Sequence, residues 1–223
     1  MTGKDILGVD MPSIDFAVDL LVSEYTEHSI IDKDIIEFGT FEGNTGKAIN
    51  ELLKYHDMRF NKFWTCDSFQ GLPKEDKTVP LYENWQEGAF NAMADTGSTT
   101  VEETMSKIYP RIFCDFIPVE LVPGFYSESL NDELSLKIKP VAFVHMDCDL
   151  YISAYQALDF LARNNLIVPG TIICYDDWGG NVEWEGGESL AHKQVSEKYG
   201  IKWQFLGKPL YNPPYVNTYF RCL

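Results

Sequence analysis

Three observations predict an α/β fold: a mostly parallel open sheet with helices on both faces. Short β-branched and aromatic runs alternate with stretches of helical periodicity through most of the chain. Two of these runs, Val141–Met146 and residues 171–175, flank a single helical pattern. Strand–helix–strand at that spacing is a right-handed crossover between parallel neighbours. The first strand also runs straight into a glycine-bearing turn and a helix, the junction at which open α/β sheets place ligands.

The elements follow in order. Residues 13–25 repeat apolar side chains at helical spacing, with Ser13 as the expected N-cap. Asp34–Phe38 reads as the first strand, and residues 44–56 as its helix, with Ala48, Ile49, Leu52 and Leu53 on one face. Residues 62–66 form a second strand, Val101–Ile112 a helix and residues 116–122 a third strand. Val141–Met146 and residues 171–175 are the fourth and fifth, joined by a helix over 153–165 and placed beside the first strand. A helix carrying His192 follows Gly186 and Gly187. Residues 203–206 and 216–222 form an antiparallel hairpin around a Pro-rich turn. Between 72 and 100 the apolar pattern breaks down, around Pro73, Pro80, Trp85, Gly88, Phe90 and Gly97; this is too long for an ordinary connection and reads as a lid or substrate loop.

Length and composition bound the rest. With 223 residues, 45% of them hydrophobic, the chain suits one domain over 1–223. A net charge of −16, from 34 acidic and 18 basic residues, argues against nucleic acid or an anionic membrane as partner. A phosphate-bearing small molecule, which needs only local donors, is not excluded, and homo-oligomerisation stays open. Cys66, Cys114, Cys148, Cys174 and Cys222 lack metal-ligand spacing and sit in or beside apolar runs, as small hydrophobes do. No leader pattern or membrane-length apolar run is present, so a cytoplasmic protein is expected.

Four acids carry the chemistry. Asp147 and Asp149 follow the fourth strand, and Asp176 and Asp177 the fifth. Parallel neighbours bring these carboxylates together, where they repel one another unless a cation intervenes; hard oxygen donors suit Mg²⁺, Ca²⁺ or Mn²⁺. The plainer alternative is a set of solvated strand-end acids. At the first strand, Gly39 and Gly43 allow a tight turn and close approach to a ligand, without the spacing of a dinucleotide fingerprint or a P-loop. Glu37 suits the cationic amino-acid end of such a ligand, and Asp67, ending strand two, suits two ribose hydroxyls.

Five motifs then converge: Glu37-Phe-Gly39-Thr-Phe-Glu-Gly43, DSFQGLP at 67–73, PGFYSESL at 123–130, Asp147-Cys-Asp-Leu-Tyr151 and Tyr175-Asp-Asp-Trp178. Together they resemble the macrocin O-methyltransferase family, class I S-adenosylmethionine-dependent enzymes that methylate sugar hydroxyls. The resemblance covers roughly residues 30 to 195. It implies a Rossmann-like, seven-stranded, mostly parallel sheet with an antiparallel last strand. S-adenosyl-L-methionine would lie over the first two strand ends, held by Glu37, Gly39, Thr40, Gly43, Asn44, Thr45, Asp67, Ser68, Gly124 and Phe125. Mg²⁺ would be held by Asp147, Asp176 and Asp177, which would also act catalytically on a hydroxyl of a sugar, glycosylated small molecule or polysaccharide. The chain departs from the family in a shorter N-terminal region and in Cys148 between the two aspartates.

Two rival functions are a metal-dependent glycosyltransferase using Asp147-x-Asp149, which leaves the glycine turn and Asp67 without a role, and a non-catalytic S-adenosylmethionine binder, which leaves the acidic cluster without one. Among single residues, Asp149 is expected to cap the helix after it. His145 is read as a satisfied core histidine, and His192 as solvated or facing the site. Trp85, Trp178 and Trp184 either flank the opening as sugar platforms or pack in the core.

Overall fold

Strands that are apolar on both faces need helical cover on both. The computed structural model describes residues 1–8, 11–25, 29–75, 83–178, 186–207 and 217–223. Its helices are α1 (Gly3–Leu7), α2 (Pro12–Glu24), α3 (Asn44–Tyr55), α4 (Ala92–Asp95), α5 (Val101–Ile112), α6 (Tyr126–Ser129), α7 (Asp132–Ser135), α8 (Tyr151–Arg163) and α9 (Gly187–Tyr199). Its strands are β1 (Ser29–Ile30), β2 (Asp34–Phe38), β3 (Arg59–Phe60), β4 (Phe63–Asp67), β5 (Val119–Pro123), β6 (Val141–Met146), β7 (Ile167–Tyr175), β8 (Trp203–Gly207) and β9 (Thr218–Cys222). None of the described helices is long and apolar enough to cross a membrane.

Seven strands form one sheet in the order β5-β4-β2-β6-β7-β9-β8. β2 pairs in parallel with β4 and β6, and β6 with β7. β9 runs antiparallel to both β7 and β8. The seven strands, the parallel crossover and the antiparallel tail are as expected. One expectation is corrected: of the two aspartate-tipped strands β6 alone borders β2, and β7 lies one strand further out. β1 and β3 pair as a separate two-stranded ribbon, too short for any periodicity to reveal. The turn of the tail hairpin lies outside the described residues.

Alternation along each strand divides the core. Ile35, Phe143 and Ile172 pack with Ile14, Val18 and Leu21 of α2, Ile49 and Leu52 of α3, and Ile108 and Ile112 of α5. Ile36, Phe38, Val144, Met146 and Ile173 face the other way, onto Ala154, Ala157, Leu158 and Leu161 of α8 and Ala191 and Val195 of α9. Each large apolar side chain buried this way contributes about 1.5–3 kcal/mol. All five cysteines are buried and free, as their apolar settings predicted. Ser13 does not cap α2: the helix starts a residue earlier at Pro12, whose fixed φ suits the first helical position, with Met11 at the N-cap. At the foot of β2, buried Asp34 accepts hydrogen bonds from Asn61 Nδ2 (2.7 Å), Trp64 Nε1 (2.7 Å) and Lys139 N (2.8 Å), which satisfies a carboxylate that burial would otherwise make costly.

The chain winds from β2 through β4 to β5 on one side and returns to β6 and β7 on the other. The direction reverses at β2, so the crevice outside the carboxyl ends of β2 and β6 is the position where such sheets bind ligands.

Candidate active site

The β2–α3 turn is built against β6. Gly39 has φ +95°, and a Cβ there would lie 1.6 Å from the Asp147 carbonyl oxygen. No other residue fits. Gly39 N donates to Cys66 O (2.9 Å) and Asp147 N to Phe38 O (2.9 Å), which ties the ends of β4, β2 and β6 together. Gly43, at φ +80°, serves a different purpose: a Cβ there would come within 2.8 Å of Ile112, so its small size seats α3 on α5. The expected close approach at these glycines is therefore to the protein itself, although Gly39 also lines the cavity described below.

Asp67 organises two turns at once. Its Oδ2 accepts the Phe41 amide (2.7 Å) and its Oδ1 the Phe69 amide (2.6 Å). Phe41 and Phe69 both have positive φ, +45° and +58°, conformations that need such anchoring. Burial pushes the Asp67 carboxyl above the usual range, and the amides of Phe41, Phe69 and Thr40 oppose that. Ser68 Oγ donates to Gly71 O (2.8 Å) and closes the next turn.

Glu37 does not face the ligand space. It is fully buried in the middle of β2, with Thr65 of β4 and His145 of β6 as its register neighbours. His145 Nδ1 lies 3.4 Å from Glu37 Oε1, and a Cβ at Gly46 would be 3.0 Å from Oε2. Both Glu37 oxygens, both His145 ring nitrogens and Thr65 Oγ1 lack a hydrogen-bond partner among the described residues. Burial raises the Glu37 carboxyl, and His145 draws it back. His145 is thus a core residue, as expected, but its polar atoms look onto Glu37 rather than onto satisfied partners.

The acids do converge. Ligand oxygens of Asp147, Asp176 and Asp177 all lie within 4.8 Å of one another, with Asp177 buried and the other two half-buried. Burial first, and then repulsion from Asp176 and Asp177, pushes the Asp147 carboxyl well above its ordinary value. Burial and repulsion from Asp149 and Asp176 do the same to Asp177. Asn217 Nδ2 donates to Asp176 Oδ1 and steadies it. Asp149 corrects the helix-cap expectation. Leu150 occupies the N-cap of α8, and Asp149, at φ +58°, hydrogen-bonds Asp177 through its side chain. Three converging carboxylates, Asp147 and Asp177 among them with raised proton affinity, are a donor set that fits Mg²⁺ or Mn²⁺.

A cavity of about 760 Å³ joins these parts, in the range that holds a cofactor-sized molecule. Of the anticipated residues, Gly39, Asp67, Ser68, Phe125 and Asp147 line it. Glu37, Thr40, Gly43, Asn44, Thr45, Gly124, Asp176 and Asp177 do not. Thr40 is buried, Asn44 and Thr45 begin α3, and Gly124 donates its amide to Asp67 O (2.9 Å). Phe41, Gln70, Tyr126 and Gln156 also line the cavity and were not anticipated; Phe90 lines it from the stretch expected as a lid or substrate loop, and Asp149 lines it where a helix cap was expected. Phe41 is legible as the bulky residue between two turn glycines; Gln156 carries no signal of its own.

The tryptophans and His192 lie elsewhere. Trp85 is buried. Trp178 packs on Phe220 (4.7 Å between centroids), and His192 stacks on the same ring at 4.6 Å. His192 Nδ1 meets the Tyr175 hydroxyl at 2.8 Å. It is neither solvated nor a cavity residue, and burial lowers its pKa to about 4. Trp184 lies outside the described residues.

Fold and site together define a class I methyltransferase architecture with an acidic centre at the switch point. Residues 20–195 match the family described as macrocin-O-methyltransferase (TylF), and the chain belongs to that family. It is similar to demethyldecarbamoylnovobiocin O-methyltransferase from Streptomyces niveus, at 24% identity over 177 residues, 77% of this chain and 65% of the relative. It is also similar to mycinamicin III 3''-O-methyltransferase from Micromonospora griseorubida, at 26% over 148 residues, 65% of this chain and 55% of the relative. The chain thus spans less than two thirds of either relative's length. Among solved structures, the O-methyltransferase NovP superposes with a TM-score of 0.63 at 20% identity, covering 94% of this chain and 78% of that one. The calicheamicin methyltransferase CalS11 gives 0.65 at 19%, covering 94% and 77%. At these identities the likeness is one of fold.

Proposed function

We propose that the chain is an S-adenosylmethionine-dependent, Mg²⁺-dependent O-methyltransferase acting on a hydroxyl of a sugar, a glycosylated small molecule or a polysaccharide. The observation that carries this reading is the contact of Gly39 with the Asp147 carbonyl, which sets a glycine turn, Asp67 and Asp147 in one cavity, with Asp176 and Asp177 converging on Asp147 just beyond its wall. The family match supports methyl transfer over glycosyl transfer, and the relatives named for O-methylation of demethyldecarbamoylnovobiocin and of mycinamicin III support a small-molecule acceptor.

In this reading Asp67 receives a ribose hydroxyl on an acceptor position that the Phe41, Phe69 and Thr40 amides leave free, since a carboxylate offers about four. Ser68 and Phe125 line the same end of the cavity. Glu37 acts through the turn it underlies rather than by touching the cofactor. Asp147, Asp176 and Asp177 would hold a divalent cation, which would supply positive charge to lower the pKa of an acceptor hydroxyl. Asp149, lining the cavity beside Asp147, takes the hydroxyl proton. Residues 76–82 lie outside the described residues; the described parts of 72–100 act as a lid, with Leu72, Pro73, Lys74, Glu87, Gly88 and Phe90 lining the cavity and Glu75 accepting the Ile152 amide at the start of α8 (3.2 Å). Phe41, Phe90 and Phe125 exclude water around the transfer, and alignment of donor and acceptor lowers the barrier.

The test combines calorimetry with mass-spectrometric detection of methylated products from glycoside mixtures. Asp67→Ala should weaken S-adenosylmethionine binding by about 1.5–3 kcal/mol, the range for hydrogen bonds to a charged group. Asn at position 147, 176 or 177 should cut turnover by about 10²-fold or more while cofactor affinity stays within a few-fold. Near-normal turnover in those three variants, or full activity after exhaustive chelation, would remove the metal from the reaction.

A further inference from the structure

Glu188 is buried to 0% exposure directly beside the acidic cluster, yet it is neither a candidate ligand nor a cavity residue. A buried carboxylate next to other acids persists only where specific donors hold it. Glu188 has two. Its Oε1 accepts the Cys148 amide (3.4 Å) and its Oε2 the Asp177 amide (3.1 Å). These amides belong to different strand ends: Cys148 follows Asp147 at the end of β6, and Asp177 follows Asp176 at the end of β7. One side chain therefore spans the two turns that carry the three converging carboxylates.

The start of α9 is shaped to deliver it. Glu188 is the second residue of that 13-residue helix, where the macrodipole favours a negative charge. Gly187, at φ +54°, lets the helix begin hard against the β6–α8 turn, and a Cβ there would lie 3.3 Å from Asp149 O. The helix is anchored by Ala191 and Val195 in the core against α8, so the carboxylate is held from a rigid element.

We infer that Glu188 is a positioning residue: its carboxylate braces the Asp147 turn against the Asp176–Asp177 turn and so sets the spacing at which the three aspartates receive a divalent cation. This inference rests on the metal reading proposed above. Both amide bonds require a carboxylate of this length. Glutamine keeps the length but presents an NH₂ to one of the two backbone N–H groups. Aspartate keeps the charge but is one methylene too short to reach both turns from α9.

The experiment uses Mn²⁺ as probe, followed by electron paramagnetic resonance and calorimetry on the full chain, with S-adenosylmethionine affinity measured in parallel. Wild type should bind Mn²⁺; if it does not, the metal reading itself fails, and the brace with it. If wild type binds, Glu188→Asp and Glu188→Gln should each lose about 10–100-fold in Mn²⁺ affinity, the usual effect of removing a group that orients metal ligands. The Mn²⁺ line shape should change and S-adenosylmethionine affinity should not. Wild-type affinity and line shape in Glu188→Asp would overturn the proposal, because charge alone would then account for any loss in Glu188→Gln. Loss of S-adenosylmethionine binding in step with Mn²⁺ binding would also overturn it, as the sign of a general packing role. Should Glu188→Asp fail to fold, the Glu188→Gln line shape decides: unchanged coordination overturns the brace.

Discussion

At the residue scale, Gly39 is the most tightly enclosed of the described glycines. Its φ of +95° and the 1.6 Å separation between a notional Cβ and the Asp147 carbonyl oxygen leave no room for any other side chain. Gly39→Ala must push apart the ends of β2 and β6, the two strands that bring the glycine turn to the acidic cluster. The expected outcome is a loss of about 1–3 kcal/mol of stability from backbone strain, together with weakened S-adenosylmethionine and Mg²⁺ binding. Thermal denaturation and two titrations would read this. A variant that keeps both affinities would mean that the contact does not organise the site. Asp67 shows the same coupling on a smaller scale, since one carboxylate holds two turns by their amides. What was visible in the residues was the chemistry of these positions, not their partners. Glu37 was chosen for a charge it was expected to offer a ligand, yet the pleat points it into the row with Thr65 and His145.

At the element scale, the 72–100 segment is tied to α8 by Glu75, a buried acid that accepts the backbone amide of Ile152. Glu75→Ala should leave the sheet intact and loosen this segment, raising the acceptor KM more than it lowers melting temperature. Limited proteolysis within 72–100 should accelerate in the same variant. Unchanged cleavage and unchanged KM would show that the tether does not close the cavity. On the same face as α8, α9 docks through His192 into Tyr175, Trp178 and Phe220. Burial lowers the His192 pKa to about 4, whereas in the unfolded chain it is about 6.5. Between those values the unfolded state binds the extra proton, so this residue's contribution to stability is full above about pH 6.5 and is lost as pH falls toward 4. His192→Phe keeps the ring stack and should flatten the stability profile in that window, at a cost of about 1 kcal/mol for the lost hydrogen bond to Tyr175. An unaltered profile would mean that other groups control it. The helices and strands of this region were legible from periodicity. Their packing partners were not, because periodicity marks a buried face without naming what covers it.

At the scale of the whole molecule, a chain of net charge −16 gathers several acids at one point. Burial and mutual repulsion push Asp147, Asp177 and Glu188 well above the ordinary carboxylate range. The folded state then retains protons that the unfolded chain releases above about pH 4, so for these groups stability falls as pH rises through the raised values. A bound divalent cation offsets that repulsion. Mg²⁺ should therefore raise the melting temperature, and the rise should grow with pH. In the limit of a hundredfold excess over its Kd, the gain is about 2.7 kcal/mol. Scanning fluorimetry with and without chelator from about pH 5 to pH 8 tests this. Identical melting curves at every pH would contradict cation binding at the cluster.

The amino-acid sequence by itself determined the class of fold, the order and bounds of most long elements, and the convergence of Asp147, Asp176 and Asp177. These follow from local causes. Alternation and helical spacing are read over a few residues, and a short right-handed crossover leaves β6 and β7 one arrangement. The position of Ser13 inside α2, the hydrogen bond between Asp149 and Asp177, the burial of Glu37 and the withdrawal of His192 and Trp178 into an aromatic cluster were decided only in three dimensions. So were Phe90 and Gln156 in the cavity wall, and Glu188 beneath the acids. The physical reason is common to all of them. Each depends on which residue, tens of positions away, fills the space opposite, and that is fixed by the packing of two helical layers onto one sheet rather than by the spacing of residues along the chain.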